Sequence, residues 1–169
     1  MQIHIPVRRL AVITVLCVFT LGCTSAQQSS LPNRTDPLQG ITTSGQPDAG
    51  SLTELAAAGY SAVIDLRGPQ EDRGIDEQAE VEQNGMEYIS IPVVGSDDVS
   101  YENAAVLDRL ISQMDGPVLI HCGSGNRAGA LLALREKING ADNETALALG
   151  KKAGLTRLED TVEQRLNER

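Results

Sequence analysis

The chain has 169 residues, 23 acidic and 14 basic, for a net charge of −9 at neutral pH. It is long enough for one domain burying roughly two-thirds of its unfolded surface, and too acidic for nucleic acid or anionic lipid to be a partner of its whole surface. With no Trp, one Phe and three Tyr it cannot wall a deep aromatic pocket, so a phosphate-like ligand must be drawn in by local donors.

The N-terminus reads as an export segment. Arg8-Arg9 is a short basic region, and Leu10 to Leu21 is an apolar run interrupted only by Thr14 and Thr20. Twelve residues are too few to span a bilayer, so residues 1–22 are a signal peptide. Thr20-Leu21-Gly22-Cys23 matches a bacterial lipobox except that Thr20 stands where Leu is usual. Cleavage there puts lipid on Cys23 and the protein on the periplasmic face of a membrane. Cleavage after Thr24-Ser25-Ala26 is the alternative and gives a soluble periplasmic protein. Either way Cys17 is removed. With Cys23 lipidated, Cys122 is the one free thiol left, and it has no internal disulfide partner in an oxidising compartment.

Residues 23–40 are rich in Ser, Gln, Pro, Asn and Thr and read as a flexible tether, at most about 55–60 Å long when extended. The folded domain is expected over 41–169. Ile41 to Ser44 is a short strand. Ser51-Leu52-Thr53-Glu54 is a capping box opening a helix that stops at Gly59. Tyr60 to Leu66 is a buried strand, Glu77 to Asn84 a polar helix, and Met86 to Ile91 a strand with one wetter face. After a loop from Pro92 to Val99, Ser100 caps a helix with Ala104, Leu107, Leu110 and Ile111 on one side. Val118 to His121 is a buried strand, and the helix after it ends near Gly140. Asp142 and Thr156 can each cap a further helix, Thr156 through a second capping box with Glu159. This alternation predicts an α/β fold: a parallel-dominated sheet of about four strands with helices on both faces. Sites in such sheets lie beyond the carboxyl ends of the strands.

That is where the most informative stretch falls. His121-Cys122-Gly123-Ser124-Gly125-Asn126-Arg127 joins the Val118–His121 strand to the buried helix after it. A cysteine heading such a loop faces backbone N–H groups and the positive end of a helix dipole. The arrangement binds a tetrahedral anion and stabilises a thiolate. Cys122 is the candidate nucleophile and Arg127 a bidentate anion clamp. Gly123, Ser124, Gly125 and Asn126 form the ring that binds the substrate. Gly123 and Gly125 allow positive φ and close approach. His121 is counted with these substrate-binding residues and reads as ordering the loop through hydrogen bonds more than as an acid or base. A general acid for a leaving alcohol is sought in the Pro92–Val99 loop, at Asp97 or Asp98, which read equally as turn residues. Asp65 and Arg67 are an alternative pair, read as a buried ion pair or turn. Gln46 is a candidate pocket residue.

Four pieces in order carry a family likeness: Ser44-Gly45-Gln46-Pro47, Val63-Ile64-Asp65-Leu66-Arg67, Tyr88-Ile89-Ser90-Ile91-Pro92-Val93 and His121 to Arg127. Over roughly Ile41 to Asn139 the chain resembles the phosphatase-like domain of β-lactamase-hydrolase-like proteins, related to dual-specificity phosphatases and to the domain fused to some NAD kinases. The resemblance implies a compact cysteine-phosphatase fold acting on a phosphorylated substrate or small oxyanion through a Cys122 thiophosphate. It implies no cofactor and no metal. We expect a monomer. Two departures bear on the chemistry. Four residues separate Cys122 from Arg127 where cysteine phosphatases generally have five, a spacing shared with rhodanese sulfurtransferases. Ala128 stands where a hydroxyl usually helps the thiol leave the phosphoenzyme. A sulfurtransferase using a Cys122 persulfide and a weakly catalytic oxyanion-binding or interaction module are therefore the alternatives.

Overall fold

The computed structural model describes residues 1–2 and 31–168. Residues 3–22 of the expected signal peptide, Cys17 among them, and the lipidation site Cys23 fall outside the described residues. Among the described residues no helix is long and apolar enough to cross a membrane.

Five strands form one sheet: β1 (Thr35–Leu38), β2 (Ile41–Ser44), β3 (Ala62–Asp65), β4 (Glu87–Ser90) and β5 (Val118–His121), in the order β1-β2-β5-β3-β4. β2, β5, β3 and β4 are parallel, and β1 pairs antiparallel with β2 at one edge. The helices are α1 (Ala49–Ala57), α2 (Glu77–Gln83), α3 (Tyr101–Gln113), α4 (Asn126–Ile138), α5 (Asn143–Lys152) and α6 (Glu159–Asn167).

β1 corrects the tether's C-terminal bound. Residues 31–40 pack on the domain: Leu31 is buried, and the Pro32 carbonyl accepts the Gly45 N–H at 2.7 Å. Pro37 is tolerated because β1 is an edge strand with a free side. The strand adds a fifth member to the sheet expected from the sequence.

The pleat sends alternate residues of each central strand to opposite layers. Val63 and Leu119 pack with Leu52, Leu55, Val81 and Met86 of the α1–α2 side. Ile64 and Ile120 pack with Leu107, Leu131, Leu134 and Val162 of the α3–α6 side. Ala128 to Leu134 of α4 are all buried, as suits a central helix covered on every side.

α4 and α5 touch through glycine. A Cβ on Gly129 would lie 2.3 Å from the Leu155 nitrogen and 2.7 Å from the Gly150 carbonyl oxygen. Backbone atoms cannot give way there, so the close packing depends on a hydrogen at that position.

Two helix starts differ from the sequence reading. α1 is capped by Asp48, whose carboxylate accepts the Ser51 N–H at 2.7 Å; Ser51 is buried in the first turn. Thr156 does not cap α6, which begins at Glu159 behind a turn. Instead the Thr156 N–H and hydroxyl both donate to Asn126 Oδ1, at 2.8 and 3.1 Å. Ser100 and Asp142 cap α3 and α5 as expected.

Candidate active site

Ser44, His121, Asp65 and Ser90 end four parallel strands in register. The loop 122–125 leaves this row and runs into α4. Its geometry turns on Gly125. Gly125 sits at φ +89°, a conformation that disfavours L side chains. It turns the chain so that its own N–H donates to Cys122 Sγ at 3.2 Å. Gly123 does not adopt the positive φ expected of it, and a Cβ there would meet Arg127 Nη2 at 3.6 Å, an ordinary contact. Cys122 is 1% exposed, at the floor of the loop.

Arg127 lies in the first turn of α4 and is held by parts of the chain far from it. Nη1 donates to Glu71 Oε1 at 2.5 Å, to the Val93 carbonyl at 3.0 Å and to the Leu66 carbonyl at 3.4 Å. Nη2 donates to Glu71 Oε2 at 2.7 Å. Nε and the second Nη2 hydrogen stay free of these partners. The pairing holds Arg127 charged well above its ordinary range, against the effect of burial, and the Cys122 sulfur adds to it. The same hydrogen bonds, together with the Gly68 N–H at 2.7 Å, lower the Glu71 carboxyl to about 2. Glu71 is thus an anion at any neutral pH, a positioner of the cation and not a proton donor. Nothing in its local sequence marks it; the loop after β3 carries it across the fold.

His121 and Cys122 face opposite ways because they are neighbours on a pleat. Cys122 belongs to the α3–α6 side, whereas His121 is buried at 0% exposure toward α2. His121 Nε2 is 2.6 Å from Glu77 Oε1 and 3.7 Å from Asp65 Oδ1. His121 therefore orders the strand end and does not line the ligand side of the loop, which corrects its assignment to substrate binding. Asp65 and Arg67 form the buried ion pair the sequence allows. Arg67 Nε donates to Asp65 Oδ1 at 2.9 Å, and its Nη2 bonds Glu77. Arg73 Nε and Tyr88 Oη donate to Asp65 Oδ2 at 3.0 and 2.9 Å. Burial raises the Asp65 carboxyl, but the hydrogen bonds from Arg67 and the charge interactions with His121 and Arg67 overcome it and hold the group at about 2. Burial and the Asp65 charge push the Tyr88 hydroxyl up.

Asp65, Glu77 and His121 bring donor atoms within 4.8 Å of one another, the spacing of a metal site. Arg67 bonds both carboxylates and Arg73 bonds one, so two guanidiniums already balance two buried anions. The cluster fits an ion-pair lock under the loop and does not fit a resident cation.

The remaining candidates are dispersed. Asn126 Oδ1 is taken by Thr156 and, at 3.4 Å, by the Leu158 N–H, so this side chain anchors the 156–158 turn and not a ligand. Ser124 is partly exposed and pairs with Gly45 through the backbone. Gln46 bonds the Arg73 carbonyl and so fixes the Glu71 loop. Asp98 accepts the Val94 and Gly95 N–H groups at 2.8 and 3.2 Å, which lower its carboxyl. It closes its own turn, Ser96–Asp98. Asp97 is fully exposed, with Arg165 as its charged neighbour at 3.8 Å. Neither aspartate is hydrogen-bonded to the 122–127 loop, so their expected role as acid has no support in this arrangement. A hollow of about 610 Å³ opens beside Arg127, with Glu71, Val93, Val94 and Leu158 among its walls.

Comparison with known proteins gives the family and the fold. A β-lactamase hydrolase-like protein of Xylella fastidiosa is 36% identical over 101 residues, covering 57% of this chain and 23% of that protein. The chain thus matches under a quarter of that relative's length. Among solved structures, a candidate phosphatase of Neisseria meningitidis superposes with a TM-score of 0.68 at 24% identity, over 80% of this chain and 97% of that one. The phosphotyrosine complex of Pseudomonas aeruginosa TpbA gives 0.61 at 20% identity, over 83% and 90%. Both show the fold. The profile of the family described as DSP-PTPase phosphatase fused to NAD+ kinase matches residues 23–167, and the chain belongs to that family.

Proposed function

We propose that the domain hydrolyses phosphate monoesters, with Cys122 as nucleophile. The observation that carries this is Arg127, held charged by Glu71 beside a cysteine whose sulfur already accepts the Gly125 N–H. The tetrahedral dianion sits over the loop. The Cys122 sulfur attacks phosphorus, the ester oxygen leaves, and water then cleaves the S–P bond to release phosphate and the thiol. Loop amides and Arg127 stabilise charge on the equatorial oxygens.

With Asp97 turned to solvent and Asp98 bound to its own turn, the departing oxygen takes its proton from water. That favours leaving groups of low basicity, so aryl phosphates are the preferred class. The phosphotyrosine ligand of TpbA belongs to this class. Ala128 offers no hydroxyl to assist breakdown of the thiophosphate, which makes that second step the slow one. The same two features favour a second reading, an oxyanion-binding module with little turnover. The spacing of four residues in the loop keeps the persulfide alternative in view. Parallel assays of the soluble domain with phenyl phosphate and with thiosulfate, against Cys122→Ser, separate the three. Phosphate release without thiosulfate activity supports hydrolysis, the reverse supports sulfur transfer, and neither, with phosphate still bound, supports the module.

We also propose that the protein is a monomer held at the periplasmic face of a membrane by lipid on Cys23. Mass spectrometry of the membrane fraction tests the anchor: a soluble form beginning at Gln27 overturns it.

A further inference from the structure

We infer that the site takes a phosphate ester carrying a second anionic group, and that Arg157 binds that group. This deepens the phosphatase reading and rests on it. Arg157 lines two hollows, one reaching the loop at Asn126 and Arg127 and the other at Ser124. One is the hollow beside Arg127, whose Val93, Val94 and Leu158 present apolar surface; Val94 is 71% exposed. The other, of about 440 Å³, is walled by Asn33, Arg34, Thr35, Ser124, Thr156 and Arg157. The first suits the apolar body of an aryl ester. The second is lined by hydroxyls, an amide and two guanidiniums, with no carboxylate, and suits an anion.

Its place beside the loop and its fixed backbone set Arg157 apart from an ordinary surface arginine such as Arg109, which is likewise exposed and, among the described residues, unpaired. Arg157 is exposed, and among the described residues it has neither a hydrogen bond nor an ion pair. Residues 1–30 contain no Asp or Glu that could supply one. In a chain of net charge −9, a cation left unpaired beside the anion loop is a local exception. Its position is also fixed. Asn126, in the first turn of α4 next to Arg127, accepts from the Thr156 N–H, the Thr156 hydroxyl and the Leu158 N–H, which brace the turn on both sides of Arg157. The backbone carrying Arg157 is therefore built to a set distance from Arg127. Arg34 across the hollow is partly committed, to Asp36 and to the Tyr60 hydroxyl, each at 3.4 Å. The free charge is that of Arg157.

The test uses Cys122→Ser protein, to prevent turnover, with orthophosphate and tripolyphosphate as probes in calorimetry at fixed salt. Tripolyphosphate should bind at least about tenfold more tightly than orthophosphate. Adding Arg157→Ala should remove most of that advantage and leave orthophosphate affinity within about twofold. Arg109→Ala is the control, on an exposed arginine of α3 that lines neither hollow, and should change nothing. Orthophosphate binding without preference for the longer anion overturns the second subsite alone. So does a preference that survives Arg157→Ala or falls equally with Arg109→Ala. Failure to bind orthophosphate at all overturns the phosphatase reading along with it. With unsubstituted Cys122, kcat/KM for 3-carboxyphenyl phosphate over phenyl phosphate should fall on Arg157→Ala, and an unchanged ratio counts against the proposal.

Discussion

Both oxygens of Glu71 lie against both terminal nitrogens of Arg127, at 2.5 and 2.7 Å. The pair joins the loop after β3 to the first turn of α4 and fixes which guanidinium hydrogens face the cysteine. Glu71→Gln keeps the size and removes the charge. It should lower kcat/KM for an aryl phosphate about tenfold, the scale of one charge-assisted contact. Because the Glu71 carboxyl is held at about 2 instead of its ordinary 4.5, its contribution to stability is fully present above about pH 4.5 and is lost as pH falls through 2. The Tm difference between wild type and Glu71→Gln should therefore be constant near neutrality and shrink below pH 4.5. A difference unchanged down to pH 2 would contradict the pairing.

Asp65 is buried at 0% exposure and accepts hydrogen bonds from Arg67, Arg73 and Tyr88. Asp65→Asn leaves the two arginines facing a neutral group, and breaking a buried pair from one side costs roughly 3–5 kcal/mol. Urea unfolding measures it. The Asp65 carboxyl is held near 2 against an ordinary 3.8, so the stability it confers is complete above about pH 4 and disappears as pH falls through 2. Acid unfolding of the wild type should be steepest in that window and much flatter in Asp65→Asn.

Gly129→Ala places a methyl 2.3 Å from a backbone nitrogen, where only movement of α5 or its C-terminal turn can relieve it. The loss should be about 1–3 kcal/mol, as for overpacked cores, read as a lower Tm. Ala at Gly140, where nothing lies within 4 Å of the added Cβ, carries only the strain of its φ of +99° and should cost less.

Asp97→Asn should leave both kcat and the pH profile of aryl phosphate hydrolysis unchanged, since its carboxylate faces solvent and Arg165. Loss of a limb of the pH–rate profile in this variant would make Asp97 the acid after all. Asp98→Asn should instead loosen the 94–98 turn, seen as faster amide exchange at Val94 and Gly95, whose N–H groups it holds.

The Val118–His121 strand, the loop and the buried helix after it were legible because a short β run, two glycines and a long apolar stretch occur in succession. The caps at Ser100 and Asp142 were legible for the same local reason. β1 was not: Thr35–Leu38 is polar and contains Pro37, and only its pairing with β2 makes it a strand. Ser51 and Thr156 resemble caps, but Asp48, after Pro47, caps α1 three residues before Ser51, and Asn126 claims Thr156 from 30 residues away. Glu71 left no trace in the sequence because its partner lies 56 residues on and neither flanking segment shows a periodic pattern. The same holds for Asp97 and Asp98, whose loop was found correctly while the direction of each carboxylate depended on contacts with backbone and Arg165.

The most direct measurement is rapid-quench mass spectrometry of the domain mixed with excess phenyl phosphate. On the proposed mechanism, with no hydroxyl at Ala128 to speed the second step, phenol should appear in a burst of about one equivalent per enzyme, ahead of phosphate. The peptide containing Cys122 should carry one phosphoryl group during that burst, and Cys122→Ser should show neither. Phenol release persisting in Cys122→Ser, or turnover with no phosphoryl group on the Cys122 peptide at any time point, would contradict nucleophilic catalysis by this cysteine.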